Sequence, residues 1–273
     1  MRVAVTGARG FIGSAVVEAL HNNGHESVDL SLETGFDVRD PFTLDADAVI
    51  HLAGVLGTHE LFDTVHEAID VNIHGTVNVL DACRQSGARY TGILMPAVFP
   101  SIYTATKVCA ARLATAYHLT HGVPVSHVRA FNAFGPGQAH GPDHPQKIIP
   151  TFAVEAWAGR PIPIWGDGTQ SVDLIHTSAL AHMLVDAVRF GDDDIFDGGT
   201  GQAFTVNEVA DMVLVITGST AGVEYLPMRR GETPTHIVAE GDGWKKLGWN
   251  PEFFYSDLEA TVLAYRHHEQ VAA

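Results

Sequence analysis

Short apolar runs alternate with longer stretches of helical periodicity through the first half of the chain. Val3-Ala4-Val5 sits in a strand over Arg2 to Thr6, and Ala48 to His51 forms another. Phe11 to Asn23 predicts a helix, and Ser27 to Asp29 a second short strand. His59 to Ser86 carries helical spacing in Leu61, Val65, Ala68 and Ile69, and again in Val77 and Leu80. Ile93 to Met95 and Pro124 to Val128 read as strands on either side of a helix over Ser101 to His121. Strands and helices in this alternation predict an α/β fold built on a parallel sheet.

The rhythm changes after Gly135-Pro-Gly, Gly141-Pro and Pro145, which mark a long loop. Short strands follow (Pro161 to Ile164, Val172 to Ile175, Val223 to Leu226), with helices over Ile149 to Trp157, Ala179 to Phe190, Val206 to Thr217 and Ser256 to His267. The expected organisation is a doubly wound sheet domain over 1–150, with a return segment near 171–200. A smaller α+β domain, mainly 151–273, packs over the carboxyl ends of the sheet.

The turn after the first strand changes this picture from fold to chemistry. Gly7, Gly10 and Gly13 stand in Thr6-Gly-Ala-Arg-Gly-Phe-Ile-Gly13, between strand and helix. Gly7 permits a tight turn, Gly10 the approach of a pyrophosphate, and Gly13 close packing of helix on strand. Phe11 and Ile12 open the helix, whose free N–H groups suit phosphate. Asp29, ending the second strand, is placed to bind the adenosine ribose hydroxyls, and no arginine follows it closely, so NAD is expected over NADP. This is a Rossmann-type nucleotide site.

Tyr103 and Lys107 then lie four apart on one helical face. A nearby ammonium favours the phenolate, and a phenolate can take the proton of an alcohol as hydride leaves the same carbon. Such a pair occurs by chance in many helices. Its position after a dinucleotide-binding turn is what lends it weight.

Together these residues resemble the extended short-chain dehydrogenase/reductases, and within them the NAD-dependent nucleotide-sugar epimerases and dehydratases such as UDP-glucose 4-epimerase. Asp37-Val38-Arg39-Asp40 resembles the family's adenine-contacting segment, through Asp37 and Val38. His51-Leu52-Ala53-Gly54 resembles the strand end beneath the cofactor, with Leu52, Ala53 and Gly54 as contacts. Asn72-Ile-His-Gly-Thr76 is similar to its Asn-x-x-Gly-Thr helix, and Tyr103 to Lys107 matches its Tyr-x-x-x-Lys. Arg129-Ala-Phe-Asn132 resembles the segment whose Asn meets the sugar nucleotide. Arg229-Arg-Gly-Glu232 resembles the signature whose Arg meets the diphosphate and whose Glu meets the nucleotide ribose. The resemblance implies NAD as cofactor, catalysis by Tyr103 and Lys107, and a UDP- or dTDP-sugar held by Asn132, Arg229 and Glu232. It also implies a homodimer.

The chain departs from that pattern in three places. Met95 stands where the family carries a catalytic Ser or Thr, unless Ser101 or Thr104 is re-aimed to replace it. The connection before Tyr103 is nearly absent, and no acid lies between Arg89 and Lys107, which argues against a 4,6-dehydratase. Val172 replaces an Arg, removing one diphosphate contact for which Lys147 or Arg160 is a local substitute. A 4-epimerase is therefore the first expectation. A 4-ketoreductase or dehydrogenase, and a catalytically weak NAD-binding sensor or assembly protein, remain open beside it.

Composition narrows the partners. The 273 residues carry a formal charge of −16, from 32 acids against 16 bases, which argues against nucleic acid. An apolar share of 46% supports a sizeable core, and no run is long enough to span a membrane, so a cytoplasmic protein is expected. Cys83 and Cys109 are expected as buried free thiols. The close histidine pairs fall at glycines, prolines or a helix end rather than in a rigid ligand set, so no metal is expected.

Overall fold

The computed structural model describes residues 1–96, 98–141, 144–241 and 244–266. β1 (Arg2–Thr6), β2 (Glu26–Leu30), β3 (Ala48–His51), β4 (Arg89–Leu94), β5 (Val125–Ala130) and β9 (Asp192–Gly198) form a six-stranded sheet in the order β2-β1-β3-β4-β5-β9. Every neighbouring pair is parallel. The order runs outward from β1 in both directions, so β1 and β3 flank a switch point, where α/β sheets bind ligands at the carboxyl ends of their strands.

Helices cover both faces. α1 (Phe11–Asn22) and α6 (Thr177–Ala187) pack on one side, where Val16, Leu20, Leu180 and Leu184 meet Ile50, Val128 and Phe196. α3 (Gly75–Ser86) and α4 (Ile102–His121) cover the other, around Val79, Leu80, Tyr90 and Ala114. α3 is entered through α2 (Val65–Ile69) and a π turn, Asp70–His74, that carries Asn72. The expected helical run from His59 thus begins only at Val65. His59 to Thr64 form turns instead.

A second core lies around α5 (Ile148–Trp157), α7 (Val206–Thr217) and α8 (Tyr255–Ala264), with Phe152, Leu174, Val209 and Val262 buried together. β6 (Asn132–Phe134), β8 (Ser171–His176) and β10 (Ala203–Thr205) make a three-stranded sheet there, and β7 (Ile162–Trp165) pairs with β11 (Val223–Leu226). Within the return segment, α6 and β9 rejoin the large sheet while β8 stays with the small one. The expected end of the last helix at His267 lies outside the described residues. Cys83 is buried, but Cys109 is exposed, because it sits on the side of α4 turned away from the sheet. Among the described residues no helix is long and apolar enough to cross a membrane.

One carboxylate ties the crossing segments. Asp173, on β8 and fully buried, accepts Thr200 N–H at 2.7 Å, Thr200 Oγ1–H at 2.8 Å, and the N–H groups of Gly201 and Ala239 at 2.9 Å. Removing it leaves the buried Ala239 N–H and the less buried N–H groups of Thr200 and Gly201 without their acceptor, a loss of about 1–3 kcal/mol for a buried group and less for the others. Asp173→Ala should therefore lower unfolding stability by roughly 3 kcal/mol or more in chemical denaturation. A loss below ~1 kcal/mol would contradict this role.

Candidate active site

The glycine turn is as tight as its sequence implies. Gly7 has φ +68°, and a Cβ on Gly13 would stand 2.0 Å from the Gly7 carbonyl oxygen. Gly10 caps α1 without a side chain, and the first turn holds no acid, so the N–H groups of Phe11 and Ile12 meet no side-chain cap. A phosphate fits such an end. Asp29 is the penultimate residue of β2, and there Arg9 Nε donates to its Oδ2 at 2.8 Å and Ser31 hydrogen-bonds its Oδ1. Burial pushes the Asp29 pKa up, but those hydrogen bonds outweigh it and hold the carboxyl below its ordinary value. No local pattern pairs Arg9 with Asp29, which lie twenty residues apart in the sequence.

Further along the same edge, Asp37 accepts Arg39 N–H at 2.9 Å, and Val38 packs where a Cβ on Gly75 would come within 2.8 Å. Leu52, Ala53 and Gly54 continue β3 past the sheet. The backbone of Ala53 lies against Gly7, and the Asn72 side chain lies against Gly54. Asn72 Oδ1 accepts Val55 N–H, and its amide donates to Val55 O and to Thr106 Oγ1, all at 3.0 Å. The π turn aims this buried side chain inward, a common use of such turns at functional sites.

α4 brings Tyr103 and Lys107 to that edge. Its start is set by a capping box. Thr104 N–H donates to Ser101 Oγ at 3.1 Å, and Ser101 N–H donates to Thr104 Oγ1 at 2.7 Å. Both hydroxyls are thereby committed to the helix end rather than re-aimed beside Tyr103. Lys107 is 7% exposed, yet among the described residues no hydrogen bond or ion pair reaches its ammonium, and none reaches the Tyr103 hydroxyl. Burial brings Lys107 down to about 8 and pushes Tyr103 up to about 12. In the chain alone the Tyr103 phenol is therefore raised rather than lowered, because burial disfavours the phenolate.

Met95 lies just past β4, and Met95 to Ser101 make the whole connection to α4. A cavity of about 740 Å³ opens beside it, walled by Met95, Pro96, Val108, Arg129 and Phe131, and neither Tyr103 nor Lys107 lines it.

A separate pocket of about 130 Å³ lies in the second unit, lined by Lys147, Trp165, Gln170, Arg229 and Glu232 among others. Glu232 grips Arg229 through two oxygens, at 2.9 Å to Nε and 2.8 Å to Nη2, and the guanidinium stacks 4.7 Å from the Trp165 ring. Gln146 takes a third N–H at 3.2 Å. Two N–H groups of the guanidinium fork remain. Burial lowers the Lys147 pKa, with Glu60 opposing and Arg229 reinforcing the shift. Arg160, by contrast, pairs with Glu155 at 2.5 Å on the surface, so Lys147 is the cation placed beside Arg229. Asn132 opens β6, two residues beyond β5. Asn132 and Arg160 apart, the sequence-derived candidates fall into two groups, one along the sheet edge and one around Arg229.

Known proteins share this fold. A low-salt glycan biosynthesis protein of Haloferax volcanii is 28% identical, over 97% of this chain and 98% of its own length. That alignment spans 312 positions, more than the 273 residues here, so the relative carries segments this chain lacks. A UDP-glucose 4-epimerase of Thermotoga maritima, solved with UDP-glucose, superposes with a TM-score of 0.90 at 22% identity, covering 98% of this chain and all of the other. The UDP-glucose 4-epimerase of Thermus thermophilus, solved with NAD, gives 0.82 at 26% identity, with 98% and 99% covered. The family model described as NAD dependent epimerase/dehydratase matches residues 3–197. With that match running through the glycine turn, the Tyr103–Lys107 helix and β9, the chain belongs to the NAD dependent epimerase/dehydratase family.

Proposed function

We propose that the chain is an NAD-dependent 4-epimerase of a UDP- or dTDP-sugar. The observation that carries this reading is the buried, acceptor-less Lys107 ammonium beside the unpartnered Tyr103 hydroxyl, above a glycine turn shaped for a pyrophosphate. The residues fit the cofactor. The α1 N-terminus would hold the phosphates, Asp29 the adenosine ribose, and Lys107 the nicotinamide ribose. The Asp29 carboxylate opposes a 2′-phosphate, which favours NAD over NADP. When bound, NAD supplies the acceptor for the hydride.

The chain's own part is proton handling and grip. Tyr103 Oη takes the proton of the sugar hydroxyl, then returns it when the 4-keto sugar has turned over. Lys107, protonated below about pH 8, is the resident charge that favours the phenolate. Arg229 and Lys147 face the diphosphate, with Lys147 standing in for the arginine lost at Val172, and Glu232 orients Arg229. Asn132 approaches the sugar from β6. The exposed Val108 and Leu119 of α4 suit a homodimer through α3 and α4, measurable by light scattering.

Met95 favours a second reading. With a thioether past β4, and with Ser101 and Thr104 committed to the cap, neither of those hydroxyls replaces the usual donor. Loss of one such donor costs about 10²–10³ in rate. A slow enzyme or an NAD-binding sensor fits that loss. A 4-ketoreductase would need added reduced cofactor, whereas an epimerase retains its NAD through purification.

Incubation with NAD and a panel of UDP- and dTDP-sugars should yield an epimer by NMR, and Tyr103→Phe should reduce its formation at least ~10³-fold while NAD still binds. Full turnover by that variant would remove Tyr103 from the chemistry, and NAD binding with no product on any sugar would favour the sensor. Lys107 gives a second expectation. Its folded pKa is depressed, so the unfolded chain binds the extra proton between about pH 8 and 10.5. Lys107→Met should then be more stable than the parent by about 3 kcal/mol at pH 7, with the gap closing as pH rises through that window. Equal stability at pH 7 would contradict it.

A further inference from the structure

A chain of side chains joins the glycine turn to the Tyr103 helix, and its protons can be assigned one by one. Thr76 Oγ1 lies 2.7 Å from Asn72 O, which only accepts, so the Thr76 proton goes there. The Thr76 oxygen must then accept an N–H from His51 Nε2, 3.0 Å away. A neutral His51 protonated at Nε2 leaves a lone pair at Nδ1, which takes the Thr6 hydroxyl proton at 2.7 Å. The Thr6 oxygen accepts the N–H groups of Leu52 and Ala53, both at 3.1 Å. Beyond Thr76, Asn72 holds Val55 and Thr106, and Thr106 Oγ1–H donates to Tyr103 O at 2.9 Å.

Every polar proton in the run from Thr6 to Thr76 has an acceptor, and the Thr6 oxygen accepts twice. A proton added at Nδ1 would face an oxygen that already accepts twice, and the Thr6 hydroxyl would lose its acceptor. His51 is 1% exposed and the Tyr90 ring stands 6.0 Å away. The charged group acting on His51 is Lys107, whose positive charge also opposes protonation. Thr6 and His51 are paired in register at the ends of β1 and β3, the switch point of the sheet.

We propose that His51 is a positioning residue, held as the neutral Nε2–H tautomer, that sets the Leu52–Gly54 strand end against the Gly7 turn. Through Thr76 and Asn72 it also sets the backbone at Tyr103. Its link to cofactor binding rests on the reading of this crevice as the NAD site.

Imidazole ¹⁵N NMR of the intact protein tests the tautomer without activity. The expected result is a His51 ring that stays neutral and Nε2-protonated from pH 5 to 8. A Nδ1–H signal, or titration near the ordinary histidine range, would overturn the proposal. In parallel, Thr76→Val removes the acceptor of the His51 proton and should weaken NAD binding about tenfold, with Thr76→Ser restoring it. Unchanged NAD affinity in folded Thr76→Val would overturn the positioning role. Failure of the parent protein to bind NAD would sink the functional reading, while the NMR result would still decide the tautomer.

Discussion

A largely buried lysine whose ammonium has no protein acceptor among the described residues is the constraint around which this site is organised. Lys107 gives up most of its contact with water when α4 settles on the sheet, and no carboxylate or carbonyl compensates among the described residues. A small-residue face (Ala110, Ala111 and Ala114) lets the helix approach closely enough for that to happen. The α3–α4 core supplies the stability that tolerates it. An energetically poor position of this kind is intelligible when a ligand with hydroxyl acceptors completes it, a pattern in which binding sites trade stability for function.

The same logic separates the two groups of candidate residues. A chain with a net charge of −16 repels anions at long range, so a nucleoside diphosphate must be gripped locally. The α1 N-terminus offers uncapped N–H groups at one place, and Arg229 with Lys147 offers cations at the other. Glu232 fixes the Arg229 fork before any ligand arrives, which leaves less side-chain freedom to lose on binding. Asp173 ties the strap around Ala239 to the turn at Thr200 and to β8, holding that part of the second unit on its strand.

Much of this was legible in the sequence. The glycine spacing, the Tyr103–Lys107 step and the capping pair Ser101/Thr104 act over a few residues, so local pattern reveals them. β9 escaped because its edge position tolerates Asp192, Asp193 and Asp194, charges of the kind edge strands use against mispairing. Helical spacing around Leu61 suggested a helix where the chain makes turns, since Leu61 is buried by tertiary packing rather than by a helical face. Arg9 on Asp29, Lys147 beside Arg229 and the His51 network depend on distant segments meeting. The direction of the Tyr103 shift depends on burial, which residue spacing does not report.

The central claim is that Tyr103 and Lys107 form a working hydride-transfer site on a sugar nucleotide. The most direct measurement uses UDP-sugars deuterated at C4, incubated with the protein and NAD in ordinary water. The account predicts an epimer that keeps its deuterium at C4, because the hydride leaves and returns without exchanging with solvent. Absence of any epimer, or an epimer whose C4 deuterium has been replaced from water, would contradict it.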